Sequence, residues 1–251
     1  MRDAVIVDAV RTPIGKRGGG LSTTHAVNLS AHVLRTLAVR TGLDPAIVDD
    51  VIWGCVGTLG MQAGCIARSA VLGAGWPEHV PGVTVDRQCG SSQQAVHQAA
   101  AGVISGQYDV AVAGGVEMMS VIPLGAAARA GDYGPMHGPL VLGRYDIERF
   151  NQGLGAQMIA DEYGISRATW IDTASTRMPE LLPLSTPAVS PADRSGRGHD
   201  AEGATRIIEA DEGIRRGGTM ERLAELPAAF EEPRSRRETL PRFPTGPPRS
   251  S

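Results

Sequence analysis

The chain has 251 residues, enough for one large domain or two small ones with a real hydrophobic core. Hydrophobic residues make up 42% and charged residues 20%, a balance typical of globular proteins rather than disordered ones. The formal net charge of -3 provides no basic field for nucleic acid, and no apolar run has the length needed to cross a bilayer. We therefore expect neither nucleic acid nor a membrane as a partner.

The chain begins with a short apolar run and contains three cysteines. The run lacks the longer apolar region and cleavage site of a secretory signal, so we expect a cytoplasmic location. Cys55, Cys65 and Cys89 are an odd number and show no Cys-x-x-Cys spacing, so we expect neither a disulfide framework nor a zinc site. Each cysteine is then either a small buried apolar residue or a functional thiol.

Strands and helices alternate along the first half of the chain, where the changes in hydrophobic period and the Gly-rich breaks mark the elements. This βαβαβ order predicts an α/β fold with a mainly parallel sheet covered by helices. The predicted strands are Ala4–Ala9, which we expect to be buried, Asp50–Trp53, Val83–Val85 and Val110–Ala113, the last capped by Gly114 and Gly115; the predicted helices are His25–Arg40, Ala63–Leu72 and Ser91–Ser105.

Cys89 lies where a predicted strand ends and a predicted helix begins. Its sulfur is therefore expected near the positive end of a helix dipole, and Arg87 adds a second positive charge, which favours the thiolate. Gly90 leaves space for a substrate carbonyl, and backbone N–H groups, including that of Cys89, are candidates for an oxyanion hole. The residues alone support two interpretations: a catalytic nucleophile, or a buried cysteine in a tight turn.

Four segments, in this order, resemble the thiolase family. They are Val7–Gly15 at the start, Val83–Ala95 around the nucleophile, Asp109–Ser120 in the following strand and turn, and Phe150–Ala160 before the loop domain. A later patch within residues 210–230 is similar to the end of that loop domain. The resemblance implies a thiolase-like α/β layered domain at 1–118 and a loop-domain-like insert at 119–232.

Within that insert, residues 169–204 show no helical period, although the family has a long helix there. Residues 233–251 are rich in proline and arginine, a composition that cannot pack a core, so we expect a disordered tail.

The resemblance implies that Cys89 is an acyl-thioester nucleophile. It would take an acyl group from a 3-ketoacyl-CoA, release acetyl-CoA and pass the acyl group to free CoA, or condense two acyl-CoAs in reverse. Acyl-CoA and CoA are then the substrates, and we expect no metal and no redox cofactor. Another condensing enzyme with a Cys-His-Asn site shares this fold, but the segment Gly114–Met119 favours a degradative thiolase.

Three catalytic segments of the family have no counterpart here: the Asn/His-Glu-Ala-Phe segment, the Gly-His-Pro segment, and a second cysteine before a glycine run. His199 lacks the following proline and lies too early, and the remaining histidines show no partner pattern. Loss of acid–base help costs about 10²–10⁴ in rate, so we expect impaired activity.

The family is built from two similar halves, so the resemblance also implies an exposed apolar face, which we expect to be covered in a homo-oligomer or by a complementing subunit. Three functions therefore stand: a thiolase-class acyltransferase, a non-catalytic acyl-CoA-binding or scaffold subunit, and a remnant without function.

Overall fold

The computed structural model describes residues 2–129, 133–174, 196–199, 205–213 and 219–227. The chain forms two compact units, one made of Met1–Ala130 and Ser185–Ile214, the other of Gly131–Leu184 and Arg215–Ser251. Most of the predicted irregular stretch 169–204 and the whole predicted tail 233–251 lie outside the described residues, and the predicted domain boundaries stay predictions. No helix in the described ranges is long and apolar enough to cross a membrane.

The first unit contains a three-stranded parallel sheet of order β2–β1–β3. Its strands are β1 (Asp50–Gly54), β2 (Gly82–Val85) and β3 (Ala111–Gly115). In the central strand, Ile52 lies opposite Val83 on one side and Ala113 on the other. This arrangement confirms the predicted α/β fold with a mainly parallel sheet.

Three helices pack on this sheet: α1 (Ala26–Thr41), α2 (Ile66–Gly73) and α3 (Ser91–Ser105). The Trp53 indole N–H donates to Ser30 Oγ of α1 at 3.2 Å, while the neighbouring Gly54 faces the start of α3. Consecutive strand residues point to opposite faces of a sheet, so α1 and α3 cover opposite faces. The main core contains Leu34, Val51, Trp53, Ile66, Val71 and Val80, all nearly inaccessible to solvent.

Capping residues set the ends of α1. His25 precedes it, and its Nδ1 accepts a hydrogen bond from the Val27 N–H at 3.2 Å. Gly42 ends it in the left-handed conformation at φ 67°, which glycine adopts without a Cβ penalty. The prediction of His25–Arg40 is therefore confirmed to within one residue at each end.

The predicted buried strand Ala4–Ala9 is wrong. No strand is assigned there, and Val5, Ile6 and Val7 are 79–84% exposed. A buried strand needs a neighbour that takes its backbone hydrogen bonds, and none of the described strands pairs with this segment. Ion pairs hold it instead, from Arg2 to Asp109 and from Arg40 to Asp8.

Two other predicted boundaries move by a few residues. Helix α2 begins at Ile66 rather than Ala63, because Gly64 adopts a left-handed φ of 71°. Strand β3 continues through Gly114 and Gly115, which were predicted to cap it, because both pair with β1.

The remaining elements are short. Helix α4 (Pro139–Tyr145) and helix α5 (Gln152–Tyr163) belong to the second unit, where residues 167–174 are also helical, and α6 (Met220–Ala224) follows. Asn151 caps α5, its side chain accepting from the N–H groups of Gly153 and Leu154. In the first unit β4 (Gly196–His199) pairs antiparallel with β5 (Thr205–Ile208).

Two glycines let α3 start very close to the sheet. A Cβ on Gly54 would lie 2.5 Å from the backbone nitrogen of Ser92, and a Cβ on Gly115 would lie 2.1 Å from Ser92 Oγ. The first of these contacts is with backbone, which cannot rotate away as a side chain can. The start of α3 can therefore pack directly against the ends of β1 and β3, because glycine has no side chain at these two positions.

We expect Gly54→Ala to lower the free energy of unfolding by about 1–3 kcal/mol, because the added methyl group overpacks a backbone contact. Urea denaturation followed by far-UV circular dichroism measures the change. Gly213→Ala is the matched control, since no atom lies within 4 Å of the added Cβ. Equal stability of the two variants would show that α3 does not depend on this close approach.

Candidate active site

Cys89 lies in the turn between β2 and α3, and its side chain is exposed. Strand β2 ends at Val85, and α3 begins at Ser91 after the N-cap residue Gly90. The structure thus places Cys89 at the strand-to-helix junction that the sequence predicts. Its exposure removes the alternative of a cysteine buried in that turn.

Short-range hydrogen bonds define the backbone around Cys89. The Gln88 N–H donates to Asp86 Oδ1 at 2.8 Å, and the N–H groups of Gly90 and Ser91 donate to the carbonyl oxygens of Arg87 and Gln88 at 3.0 Å. Gln88 is held at φ 48°, a left-handed conformation that costs a non-glycine residue about 1–3 kcal/mol. Gln88, the residue before the cysteine, is therefore strained. The hydrogen bonds of the turn offset the cost of this strain.

Ser91 makes the side-chain contacts that close this turn. It is buried, and its Oγ accepts from the Arg87 N–H at 2.9 Å and donates to the Gln88 carbonyl oxygen at 2.6 Å. The sequence pattern does not single out Ser91 among the site residues. The available signal is a serine at the first turn of a helix, a position from which hydroxyl groups bond back to the preceding backbone.

The Cys89 sulfur lies just before the first turn of α3, and no described side chain is bonded to it as a base. Helix α3 has 15 residues, and its first turn presents N–H groups and the positive end of the helix dipole to the turn that carries Cys89. Within the described ranges, no side chain forms a hydrogen bond with Cys89 Sγ. Backbone N–H groups in this position can stabilise an oxyanion, whereas proton transfer requires a group that the described residues do not bring to the sulfur.

The other two cysteines occupy different environments. Cys55 is buried, and burial raises the pKa of its thiol to about 12, with smaller contributions from the negative charges of Glu117 and Asp86. Cys65 is exposed, but its Sγ donates to the Gly82 carbonyl oxygen at 3.1 Å. Cys55 is therefore a protonated core residue at neutral pH, and Cys65 has a structural partner.

A buried amide and a carboxylate join the segments that follow β1 and β3. Gln62 is fully buried; its Nε2 donates to the Gly57 carbonyl oxygen at 2.7 Å and to Glu117 Oε1 at 2.9 Å, and its Oε1 accepts from the Met118 N–H at 2.6 Å. Glu117 also accepts from the N–H groups of Val56 and Gly57. These bonds give Glu117 a structural role, and the sequence pattern does not predict it.

Three of the histidines that the structure describes have contacts that give them a structural role. His25 caps α1, His79 bonds to the Ala46 carbonyl oxygen at 3.0 Å, and the His137 ring packs on Phe150 with 5.1 Å between centroids. The backbone of His199 lies in β4. Among the described residues, no group of three or more His, Cys, Asp or Glu side chains lies close enough to hold a metal ion.

Comparison with known proteins agrees with this fold and with the predicted family. The family described as "Thiolase, N-terminal domain" matches residues 4–174. The solved structure of the Bacillus anthracis acetyl-CoA acetyltransferase superposes with a TM-score of 0.75 and 31% sequence identity, over 92% of this chain and 60% of that one. The chain belongs to the thiolase family.

Two curated relatives show what share of the length of a family member this chain spans. The steroid 3-ketoacyl-CoA thiolase FadA6 of Mycobacterium tuberculosis is 50% identical over 172 residues, which cover 66% of this chain and 42% of that protein. The 3-ketoacyl-CoA thiolase of Colwellia psychrerythraea is 37% identical over 242 residues, which cover 92% of this chain and 59% of that protein. The chain thus spans between about two fifths and three fifths of the length of these relatives.

We expect iodoacetamide to alkylate Cys89 first, Cys65 more slowly and Cys55 last in the native chain. Peptide mass spectrometry of samples quenched over time gives the three rates. Cys55 should stay unmodified at any pH well below about 12, because its thiol remains protonated and buried, and it should react only after unfolding in urea. Alkylation of Cys55 ahead of Cys89 would contradict the placement of the two thiols.

Proposed function

We propose that this chain carries the acyl-accepting part of a thiolase site, with Cys89 as the residue that forms the acyl thioester. The observation that carries the proposal is the exposed Cys89 sulfur at the start of α3, within the stretch matched by the thiolase family. The hydrogen bonds of Ser91 support the proposal, because they join this residue, two positions after the cysteine, to Arg87 and Gln88 before it. The substrate class is a 3-ketoacyl-CoA, as named for the relatives.

In the thiolysis direction, the Cys89 thiolate attacks the keto carbon of the substrate and the carbonyl electron pair moves to oxygen. The backbone N–H of Cys89, in the turn before α3, and N–H groups in the first turn of α3 are the proposed donors to this oxyanion. The carbon–carbon bond next to the keto carbon then breaks, and its electron pair leaves as the enolate of acetyl-CoA, which takes a proton from a general acid. The acyl group remains on Cys89 as a thioester.

In the second half-reaction, the thiol of free CoA loses its proton to a base and attacks the thioester carbon. The tetrahedral intermediate collapses, the shortened acyl-CoA leaves, and the Cys89 thiolate is restored. The protein supplies the nucleophile and the oxyanion donors in both steps, with no redox change. Acyl-CoA and CoA are the proposed partners, without a resident metal or redox cofactor, in the cytoplasm.

The two proton transfers set the limit on turnover. No described side chain forms a hydrogen bond with Cys89 Sγ. We propose that the general acid and base come from another polypeptide or from residues of this chain that the structure does not describe. Without that help we propose that turnover falls by about 10²–10⁴, with condensation affected most. Acylation by a reactive thioester, which needs only the thiolate and the oxyanion donors, is the step that this chain retains.

We expect intact-mass spectrometry of the chain incubated with acetyl-CoA to show one added acetyl group, because attack of the Cys89 thiolate on the thioester carbon releases CoA without a carbon–carbon cleavage. Cys89→Ala should abolish the adduct because it removes the nucleophile. Cys65→Ala should retain it, and is the matched control because Cys65 is also exposed. Circular dichroism of each variant confirms that the fold is intact.

The other outcomes separate the alternatives. An adduct that persists in Cys89→Ala would contradict the assignment of the nucleophile. If a folded chain forms no adduct but binds acyl-CoA measurably in calorimetry, the chain is a non-catalytic acyl-CoA-binding subunit rather than an enzyme.

A further inference from the structure

Arg87 is an exposed residue that lies two positions before Cys89. Its aliphatic stem runs beside Gly90: a Cβ built on that glycine would lie 3.8 Å from Arg87 Cγ and 4.0 Å from Arg87 Cδ. We propose that the Arg87 guanidinium binds a carboxylate at the far end of the acyl group on Cys89, so that the site favours CoA thioesters of dicarboxylic acids. This role rests on the proposed acyl thioester at Cys89.

Hydrogen bonds fix the backbone of Arg87 on both sides. Its N–H donates to Ser91 Oγ at 2.9 Å, and its carbonyl oxygen accepts from the Gly90 N–H at 3.0 Å. The side chain therefore starts from a fixed point in the turn that carries the nucleophile, and the contact with Gly90 keeps its stem beside that turn. Binding to a group that is already held in place costs less ordering entropy.

The guanidinium of Arg87 is available for a ligand. Within the described ranges it forms no ion pair, and the adjacent Asp86 carboxylate accepts from the Gln88 N–H instead. Five other arginines of the first unit have partners inside the protein: Arg2, Arg11 and Arg40 pair with carboxylates, and Arg35 and Arg68 donate to backbone carbonyl oxygens. Arg87 thus places a positive charge beside the nucleophile that no described carboxylate neutralises.

The position of Arg87 determines which anion it can reach. The phosphate groups of CoA are separated from the thioester by the whole pantetheine arm, whereas the acyl group is attached directly to Cys89. The anion within reach of a residue two positions from the nucleophile is therefore a carboxylate on the acyl group itself. Guanidinium and carboxylate groups match in geometry, because two parallel N–H groups can donate to the two oxygens.

The probes are adipyl-CoA and hexanoyl-CoA, whose acyl chains have the same number of carbons and differ in the terminal carboxylate. In both cases the Cys89 thiolate attacks the thioester carbon, the new thioester forms and CoA leaves. Intact-mass spectrometry under single-turnover conditions, with thioester below saturation, gives the two acylation rates. We expect the ratio of the adipyl rate to the hexanoyl rate to be about fivefold higher in the unchanged chain than in Arg87→Gln, the effect of an exposed ion pair.

Two further variants separate the guanidinium from charge in general. Arg87→Lys keeps the charge but loses the paired donors, so it should give an intermediate ratio. Arg17→Gln is the matched control, because it removes an exposed arginine of the first unit outside the Cys89 turn, and its ratio should equal that of the unchanged chain. Sodium chloride at about 0.5 M should lower the ratio in the unchanged chain, since salt screens an exposed pair. Circular dichroism confirms that each variant is folded.

Two results would overturn the role of Arg87 and leave the proposed function intact. Equal ratios in the unchanged chain and in Arg87→Gln, with Cys89 acylated in both, would show that the guanidinium does not bind the carboxylate. An equal fall of the ratio in Arg17→Gln would show a general effect of charge. If a folded chain forms no Cys89 adduct with either probe or with acetyl-CoA, the proposed function itself fails, and the role of Arg87 fails with it.

Discussion

The close approach of α3 to the sheet is the contact on which the site depends. Gly54 and Gly115 stand at the ends of β1 and β3, and a side chain at either position would collide with Ser92. With both side chains absent, the first turn of α3 lies directly against the strand ends. The chain must therefore turn sharply between Val85 and Ser91, and Cys89 is presented outward at that turn. Packing inside the domain thus fixes the position of an exposed thiol.

The three cysteines show how environment separates chemically identical groups. Burial and nearby carboxylates keep the Cys55 thiol protonated, with a pKa of about 12. The Cys65 thiol donates a hydrogen bond to the Gly82 carbonyl oxygen. Cys89 is exposed at the positive end of α3, in a turn whose strained Gln88 is held by hydrogen bonds. Among the three, only the environment of Cys89 combines access from solvent with a fixed backbone, and a nucleophile needs both.

Local patterns in the sequence predict the parts of this fold that depend on local chemistry. Helix α3 has the predicted bounds, because Gly90 and Gly106 mark its ends, and Cys89 lies at the predicted junction. Contacts between distant residues were not predictable in this way. Two such contacts are the hydrogen bond from the buried Gln62 amide to Glu117 and the hydrogen bond from Arg11 to Asp211. Each joins segments that are far apart in sequence, and the hydrophobic period of the sequence carries no signal for it. The strand at Ala4–Ala9 was predicted from its apolar run, but pairing depends on a neighbour that the described strands do not provide.

We propose that Ser91 holds Cys89 in position to accept an acyl group, and single-turnover acylation by acetyl-CoA tests this most directly. Ser91→Ala leaves the Arg87 N–H and the Gln88 carbonyl oxygen without their partner, and Ser91→Thr keeps the hydroxyl. We predict that Ser91→Ala slows acylation about tenfold or more in a folded chain, because a small displacement of a nucleophile has a large effect on rate, and that Ser91→Thr restores most of it. Acylation of folded Ser91→Ala at the unchanged rate would show that the turn does not position the cysteine.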